Sequence, residues 1–268
     1  MPGPAAEKIF RDLLNRHPSL RPCADDIAAA FRLLLDCGRR RGLILACGNG
    51  GSSADADHLV GELMKGFLLP RPLGEEARRM LEGPLPPGRG RAPLRETGGP
   101  AVHPIPCGTA DRPGGRRALE GSDSRKGSGG GTEDRDGRYL AEVLQEAVPA
   151  VSLSSHGALL TAFANDRASD AVFAQQVYGY GRKGDLLVCF STSGNSRNVV
   201  LAARTARSLG LSVLGLTGRD GGALAPLCDA AVRVPETETF LIQELHLPVY
   251  HALAAALEAE LFSRGESR

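Results

Sequence analysis

The chain has 268 residues, 42% of them hydrophobic and 24% charged, with a formal net charge of +1. That length and balance support a single domain with a full core, and the small net charge gives no electrostatic case for nucleic acid or an anionic membrane surface as partner. No apolar run approaches the ~20 residues that span a bilayer, and the opening MPGPAAEKIFRDLL lacks the apolar stretch of a signal peptide. The six cysteines, Cys23, Cys37, Cys47, Cys107, Cys189 and Cys228, are scattered without a Cys-x-x-Cys pair. They read as buried thiols of a protein kept in the reducing cytoplasm.

Two amphipathic helices are expected first, over residues 1–41. Ala5 to Arg16 places Ile9, Leu13 and Leu14 on one side, and Ala24 to about Arg40 carries Ile27, Phe31, Leu34 and Leu35 at helical spacing. Such helices supply oligomer contacts or pack within the chain. Leu43 to Ala46 then reads as a short buried strand, followed by Gly48-Asn49-Gly50-Gly51-Ser52-Ser53 and a helix from Ala54 to Met64 that Ser52 or Ser53 is placed to cap. A strand, a glycine turn and a helix N-terminus together form an anion site, because unpaired amides and the helix dipole face the ligand. No Gly-Lys-Ser/Thr closes the turn, so it is neither a Walker loop nor the spaced dinucleotide fingerprint. The bland alternative is a tight turn holding nothing.

From about 70 to 137 the character changes, with stretches such as GPLPPGRGRAPL and SRKGSGGGTEDRDG. Few aliphatic residues and no periodicity leave too little burial to offset ordering entropy. The segment is expected to be a disordered insertion, with a short helix over Glu75 to Glu82 and with His103 and Cys107 as bystanders. Regular elements resume with a helix over Tyr139 to Val148, a strand over Ala150 to Leu153, and helices over Leu159 to Phe163 and Asp170 to Tyr180. Asp185 to Phe190 is another buried strand. It runs into Ser191-Thr192-Ser193-Gly194-Asn195-Ser196 and a helix from Arg197 to Leu209. Crowded hydroxyls at a strand end suit a phosphate monoester, which needs several donors, although a capped turn has the same composition. Ser212 to Leu216 and Ala230 to Val234 are the last strands, and a long helix spans about Glu238 to Phe262.

Alternation of strands and helices implies right-handed crossovers and a parallel sheet covered on both faces. Five strands suit a three-layer α/β fold in flavodoxin-like order, 2-1-3-4-5, whose ligand crevice lies where strands one and three adjoin. The glycine loop and the serine loop follow those two strands.

His58 and Glu62 stand at i and i+4 on one helix face, a spacing that suits a shared metal or a paired acid and base, and equally a solvated ion pair. The last helix carries Gln243, Glu244, His246 and His251, with Pro248 expected to kink it. His246 lies at a different azimuth and reads as a surface or interface residue.

The stretches CGNGGSSADADHLVGEL, FSTSGNSRNVVLAA, LTGRDGG and IQELHLPVYHAL resemble the sugar isomerase (SIS) domain, and within it the phosphoheptose isomerase family. The resemblance covers roughly residues 20–69 and 138–262, and the 70–137 segment departs from it. It implies metal ligands at His58, Glu62, Gln243 and His251, a set of nitrogen and oxygen donors that suits one zinc per subunit. It implies substrate contacts at Asn49, Gly50, Gly51, Ser52, Glu62, Asn165, Asp166, Ser191, Thr192, Ser193, Ser196 and Gln243. It also implies a homotetramer that acts on a small sugar phosphate, converting sedoheptulose 7-phosphate to D-glycero-D-manno-heptose 7-phosphate. Glu62 is the chosen base at C1 and His251 the group returning the proton at C2. The alternatives are an isomerase of another sugar phosphate and, in a different class, a non-catalytic SIS phosphosugar sensor or replication-initiation regulator. Such a regulator shares the two loops and needs no acid–base pair.

Overall fold

The computed structural model describes residues 3–84 and 135–263. The chain divides into two compact units, one formed by Met1–Gly74 with Leu144–Arg268 and the other by Glu75–Val143. The larger unit is the α/β body. Its sheet contains β1 (Ile44–Cys47), β2 (Ala150–Ser152), β3 (Leu186–Phe190), β4 (Ser212–Thr217) and β5 (Ala230–Arg233). All neighbours are parallel and the spatial order is β2-β1-β3-β4-β5, as the alternating pattern implies.

Side chains on a strand alternate between faces, and each face here has its own core. Ile44 and Ala46 of β1, with Leu186, Val188 and Phe190 of β3, point to one side. They pack against α1 (Pro4–Arg16), α2 (Ala24–Arg39), α3 (Gly51–Met64) and α9 (Thr239–Phe262). Leu45, Cys47, Leu187 and Cys189 point to the other side, against α7 (Val172–Tyr180) and α8 (Arg197–Ser208). Burying both faces is why these strands read as unbroken apolar runs rather than alternating ones. The register pairs Cys47 with Cys189, so the loops that leave β1 and β3 start side by side.

The described cysteines are unpaired thiols, and Cys228 is only partly buried. Burial pushes the Cys37 thiol up to about 11 and that of Cys228 up to about 12, so both stay protonated at neutral pH.

Two helices differ from the sequence expectation in their bounds. The helix after the glycine loop starts at Gly51, not Ala54, so Ser52 and Ser53 lie inside it. The helix expected over 139–148 is α5 (Arg135–Val143), which ends earlier. Gln145 instead pairs with Pro72 in an antiparallel bridge, and Glu146 N–H donates to Arg71 C=O at 2.8 Å. Pro149 further biases the preceding residue away from helix.

The insertion expected over 70–137 lies mostly outside the described residues. Its first residues depart from the expectation, because Arg71 is buried and ion-paired to Glu258. Composition averages over a window and misses one long-range contact of this kind. In the smaller unit, α4 (Glu75–Glu82) forms as expected and packs with α5.

Candidate active site at the ends of β1 and β3

The glycine loop leaves β1 and opens α3. The helix is capped by Gly50, and no side chain caps its N-terminus. The expected Ser52 or Ser53 cap is absent because the helix starts one turn earlier, and its first amides are left to a ligand or solvent. Gly51 lets the Gln243 side chain approach closely: a Cβ there would stand 2.6 Å from the Gln243 Nε2, and the amide would have to move. The Gln243 amide, on the first turns of α9, therefore lies directly against the glycine loop.

The serine loop leaves β3 and opens α8. Ser191 is buried and its hydroxyl donates to Ser196 Oγ at 3.1 Å. Ser193 Oγ accepts from the Asn195 N–H at 3.1 Å. Ser196 caps α8 by position but makes no side-chain hydrogen bond to it. Gly194 has φ 65°, and a Cβ there would meet Gly221 C=O at 2.1 Å, so only glycine lets the loop close on the turn after β4. The glycine loop is tied to the first turn of α8 by a reciprocal amide pair in which Asn49 and Asn198 each donate to the other at 2.9 Å. Asn49 was expected from the sequence, and its partner was not.

About two turns into α3, His58 Nε2 stands 3.2 Å from Glu62 Oε1. His251 Nε2, from α9, stands 3.4 Å from the same His58 nitrogen. The expected i,i+4 pair thus meets a third group from a helix 193 residues on. Glu62 is nearly buried, and its other oxygen accepts from Lys65 Nζ at 3.0 Å. Lys65 was missed, although its i+3 spacing from Glu62 is readable in the sequence. Desolvation, then the neighbouring His58, lowers the His251 pKa below its ordinary value, with Glu62 opposing. No group of three His, Cys, Asp or Glu side chains among the described residues forms a finished metal cage as it stands.

Behind His58, the Tyr250 hydroxyl lies 3.0 Å from Nδ1 and donates to Asp55 Oδ1 at 3.3 Å. Neither residue was singled out from the sequence. Burial raises the Tyr250 pKa, so the phenol keeps its proton. Burial also raises that of Asp55, against the opposing Tyr250 hydrogen bond and His58.

The remaining expected residues are placed differently. Asn165 and Asp166 sit in a π-helical turn (Ala164–Ala168) after α6 (Gly157–Phe163), exposed, with Asn165 Nδ2 donating to Asp166 Oδ1 at 2.9 Å. No hydrogen bond among the described residues ties them to the two loops. His246 is a correction: it is fully buried, with Nε2 3.3 Å from Thr217 C=O. Pro248 does not interrupt α9.

A five-stranded parallel sheet with polar loops at two adjoining strand ends defines an α/β class that binds ligands at that crevice, and the comparisons narrow it. The model of the SIS domain family matches residues 13–84 and 137–218. The phosphoheptose isomerase of Rhodospirillum rubrum is 33% identical over 244 residues, covering 91% of this chain and 90% of that one. That of Desulfovibrio desulfuricans is 34% identical over 226 residues, covering 84% and 72%. The structure of phosphoheptose isomerase from Neisseria gonorrhoeae superposes with a TM-score of 0.59 at 27% identity, over 93% of this chain and 95% of that one. The chain belongs to the SIS-domain family and, within it, to the phosphoheptose isomerases.

Proposed function

We propose that this chain is an aldose–ketose isomerase that converts sedoheptulose 7-phosphate to D-glycero-D-manno-heptose 7-phosphate through an enediol, the first step towards nucleotide-activated heptose. The observation that carries the proposal is the Glu62–His58–His251 group set beside the β1 and β3 loops in a chain of this family. A protein that only senses sugar phosphate has no use for a nearly buried carboxylate between an imidazole and an ammonium.

The serine loop is the proposed phosphate anchor, with the hydroxyls of Ser191, Thr192, Ser193 and Ser196 as donors. Asn49, Gly50, Gly51 and Ser52 line the glycine side, Asn165 and Asp166 hold sugar hydroxyls, and Gln243 reaches the sugar from α9. Binding the phosphate far from the reacting carbons spends that energy on orientation. Glu62 takes the proton from C1; the C1–H electron pair forms C1=C2, and the C2 oxygen gains a proton. The C1 hydroxyl then loses its proton as C1=O forms, and C2 receives one from His251. Lys65, 3.0 Å from Glu62, offsets negative charge as it gathers on the sugar oxygens.

The donor set of two imidazoles, a carboxylate and an amide oxygen supports a proposed divalent metal, with zinc the suited ion. Donors at ~2.0–2.1 Å around a tetrahedral zinc stand ~3.3 Å apart, and the two edges at His58 are 3.2 Å and 3.4 Å. His58, Glu62, His251 and the Gln243 amide oxygen are the proposed ligands. When bound, the metal polarises the carbonyl and stabilises charge on its oxygen. The His251 Nε2 serves one role at a time, since a nitrogen whose lone pair holds a metal has no proton to give.

The five described thiols are free, which fits the reducing cytoplasm proposed as the compartment, and among the described residues no helix is long and apolar enough to cross a membrane. Incubating the purified chain with sedoheptulose 7-phosphate and zinc, and following product by NMR, tests the proposal. Aldose accumulation is expected, and an unchanged ketose would overturn it.

A further inference from the structure

Tyr250 is almost completely buried, its ring packing edge-on to those of Phe190 and His58. Its hydroxyl has one proton and faces two acceptor-capable atoms, Asp55 Oδ1 at 3.3 Å and His58 Nδ1 at 3.0 Å. With Asp55 ionised and His58 neutral, two arrangements of protons are consistent with that geometry. In the first, Tyr250 donates to Asp55 and accepts from His58 Nδ1–H, so the Nε2 lone pair is left facing Glu62 and His251. In the second, Tyr250 donates to His58 Nδ1, Nε2 carries the proton, and Asp55 loses its side-chain donor. Asp55 Oδ2 is already buried with no hydrogen-bond partner, so the second arrangement strips the carboxylate of its remaining contact. A buried carboxylate without donors is costly, and the first arrangement is favoured.

We propose that Tyr250, held by Asp55, is a positioning residue that fixes His58 as the Nδ1–H tautomer and aims its Nε2 lone pair at the metal centre. This rests on the metal-centre reading above. The orienting partner of a metal-ligating histidine usually sits on the ring nitrogen away from the metal, fixing both tautomer and ring plane. Here the carboxylate acts through a phenol rather than directly. The phenol comes from α9, next to His251, so the relay also links the two helices that supply the ligands.

Two measurements on the full chain test this. In metal-free protein labelled with 15N-histidine, with the His58 ring identified through His58→Gln, the ring shifts should report Nδ1–H. In Asp55→Ala, where Tyr250 is free to donate to His58, they should move to the Nε2–H form. In zinc titrations against a chromophoric chelator, Tyr250→Phe, which keeps the ring, should bind ~10–100-fold more weakly than wild type, with an unchanged near-ultraviolet circular dichroism spectrum. Asp55→Ala, at the edge of the core, gives the same readout if Tyr250→Phe does not fold. Equal zinc affinity in Tyr250→Phe, or His58 found as Nε2–H in the wild type, overturns the role of Tyr250. Failure of the wild type itself to take up zinc overturns the metal centre instead.

Discussion

Arg71 donates to the backbone carbonyl of Glu62 itself, Nη2 to O at 3.1 Å, while its Nη1 serves the carbonyl of Leu63 at 2.8 Å. The last turn of a helix leaves carbonyls without intrahelical partners, and here one guanidinium satisfies two of them beneath the proposed catalytic carboxylate. The same guanidinium is held by Glu258 at 2.7 Å, whose carboxylate also accepts the N–H groups of Phe67, Leu68 and Leu69. The chain after α3 is thus strapped to α9 by one buried ion pair.

Arg71→Met should be strongly destabilising, because it leaves Glu258 buried beside apolar contacts with one charge unanswered. Breaking a buried pair from one side costs about 3–5 kcal/mol. Denaturant unfolding should show that loss, and a change below 1 kcal/mol would mean the strap is not structural. A deletion of the 70–137 segment should accordingly begin after Gly74, keeping Arg71 and the Pro72–Gln145 bridge.

Glu258 and His246 make opposite demands on acid stability in detail, yet both fail as pH falls. Burial opposes the Glu258 charge, but the donors Phe67, Leu68 and Arg71 outweigh it and hold the carboxyl below its ordinary value. Its contribution is present above the unfolded carboxylate pKa and is lost as pH drops through the lower folded one. Burial pushes the His246 pKa down to about 4, with the Thr217 carbonyl opposing. The unfolded histidine therefore binds a proton from about pH 6.5 downward while the folded one does not, which removes about 3 kcal/mol between pH 6.5 and 4. His246→Gln, which retains a donor for Thr217, should flatten the stability profile in that window. An unchanged slope would contradict the buried neutral imidazole.

Ser193→Ala removes one proposed phosphate donor and the acceptor of the Asn195 N–H. Each such bond is worth about 1 kcal/mol, so KM should rise several-fold to about tenfold while kcat stays within a factor of a few. Initial-rate kinetics decide this. A hundredfold fall in kcat at constant KM would place Ser193 in the chemistry rather than in binding.

Much of this was legible in the residues, and the exceptions share a cause. The sheet order and the adjoining loops follow from alternation of strands and helices, and His58 with Glu62 is visible at i,i+4. Arg71 was hidden because it lies in a tract whose composition argues against order, and its partner is 187 residues away. His246 was misplaced because α9 is apolar around most of its circumference, so azimuth carries no information about which side is buried. Tyr250 reads as an ordinary core aromatic, and its hydroxyl acquires meaning only once α3 and α9 are seen to touch. The N-cap at Gly50 depends on backbone conformation that Ser52 and Ser53 disguise.

The N-terminal helices and the exposed Leu68, Tyr178 and Phe240 are proposed to lie in subunit contacts of a homotetramer. Light scattering at micromolar concentration should return four times the 28.2 kDa chain mass. A monomer mass would remove the proposal.

The base assignment is tested most directly by solvent exchange at C1. With sedoheptulose 7-phosphate in deuterium oxide, the wild-type chain should exchange one C1 proton during turnover. Glu62→Gln, which keeps the size and an oxygen for a metal but loses the carboxylate, should exchange it ~10²–10⁴-fold more slowly. Exchange by Glu62→Gln at the wild-type rate would contradict the account and pass the role of base to another group.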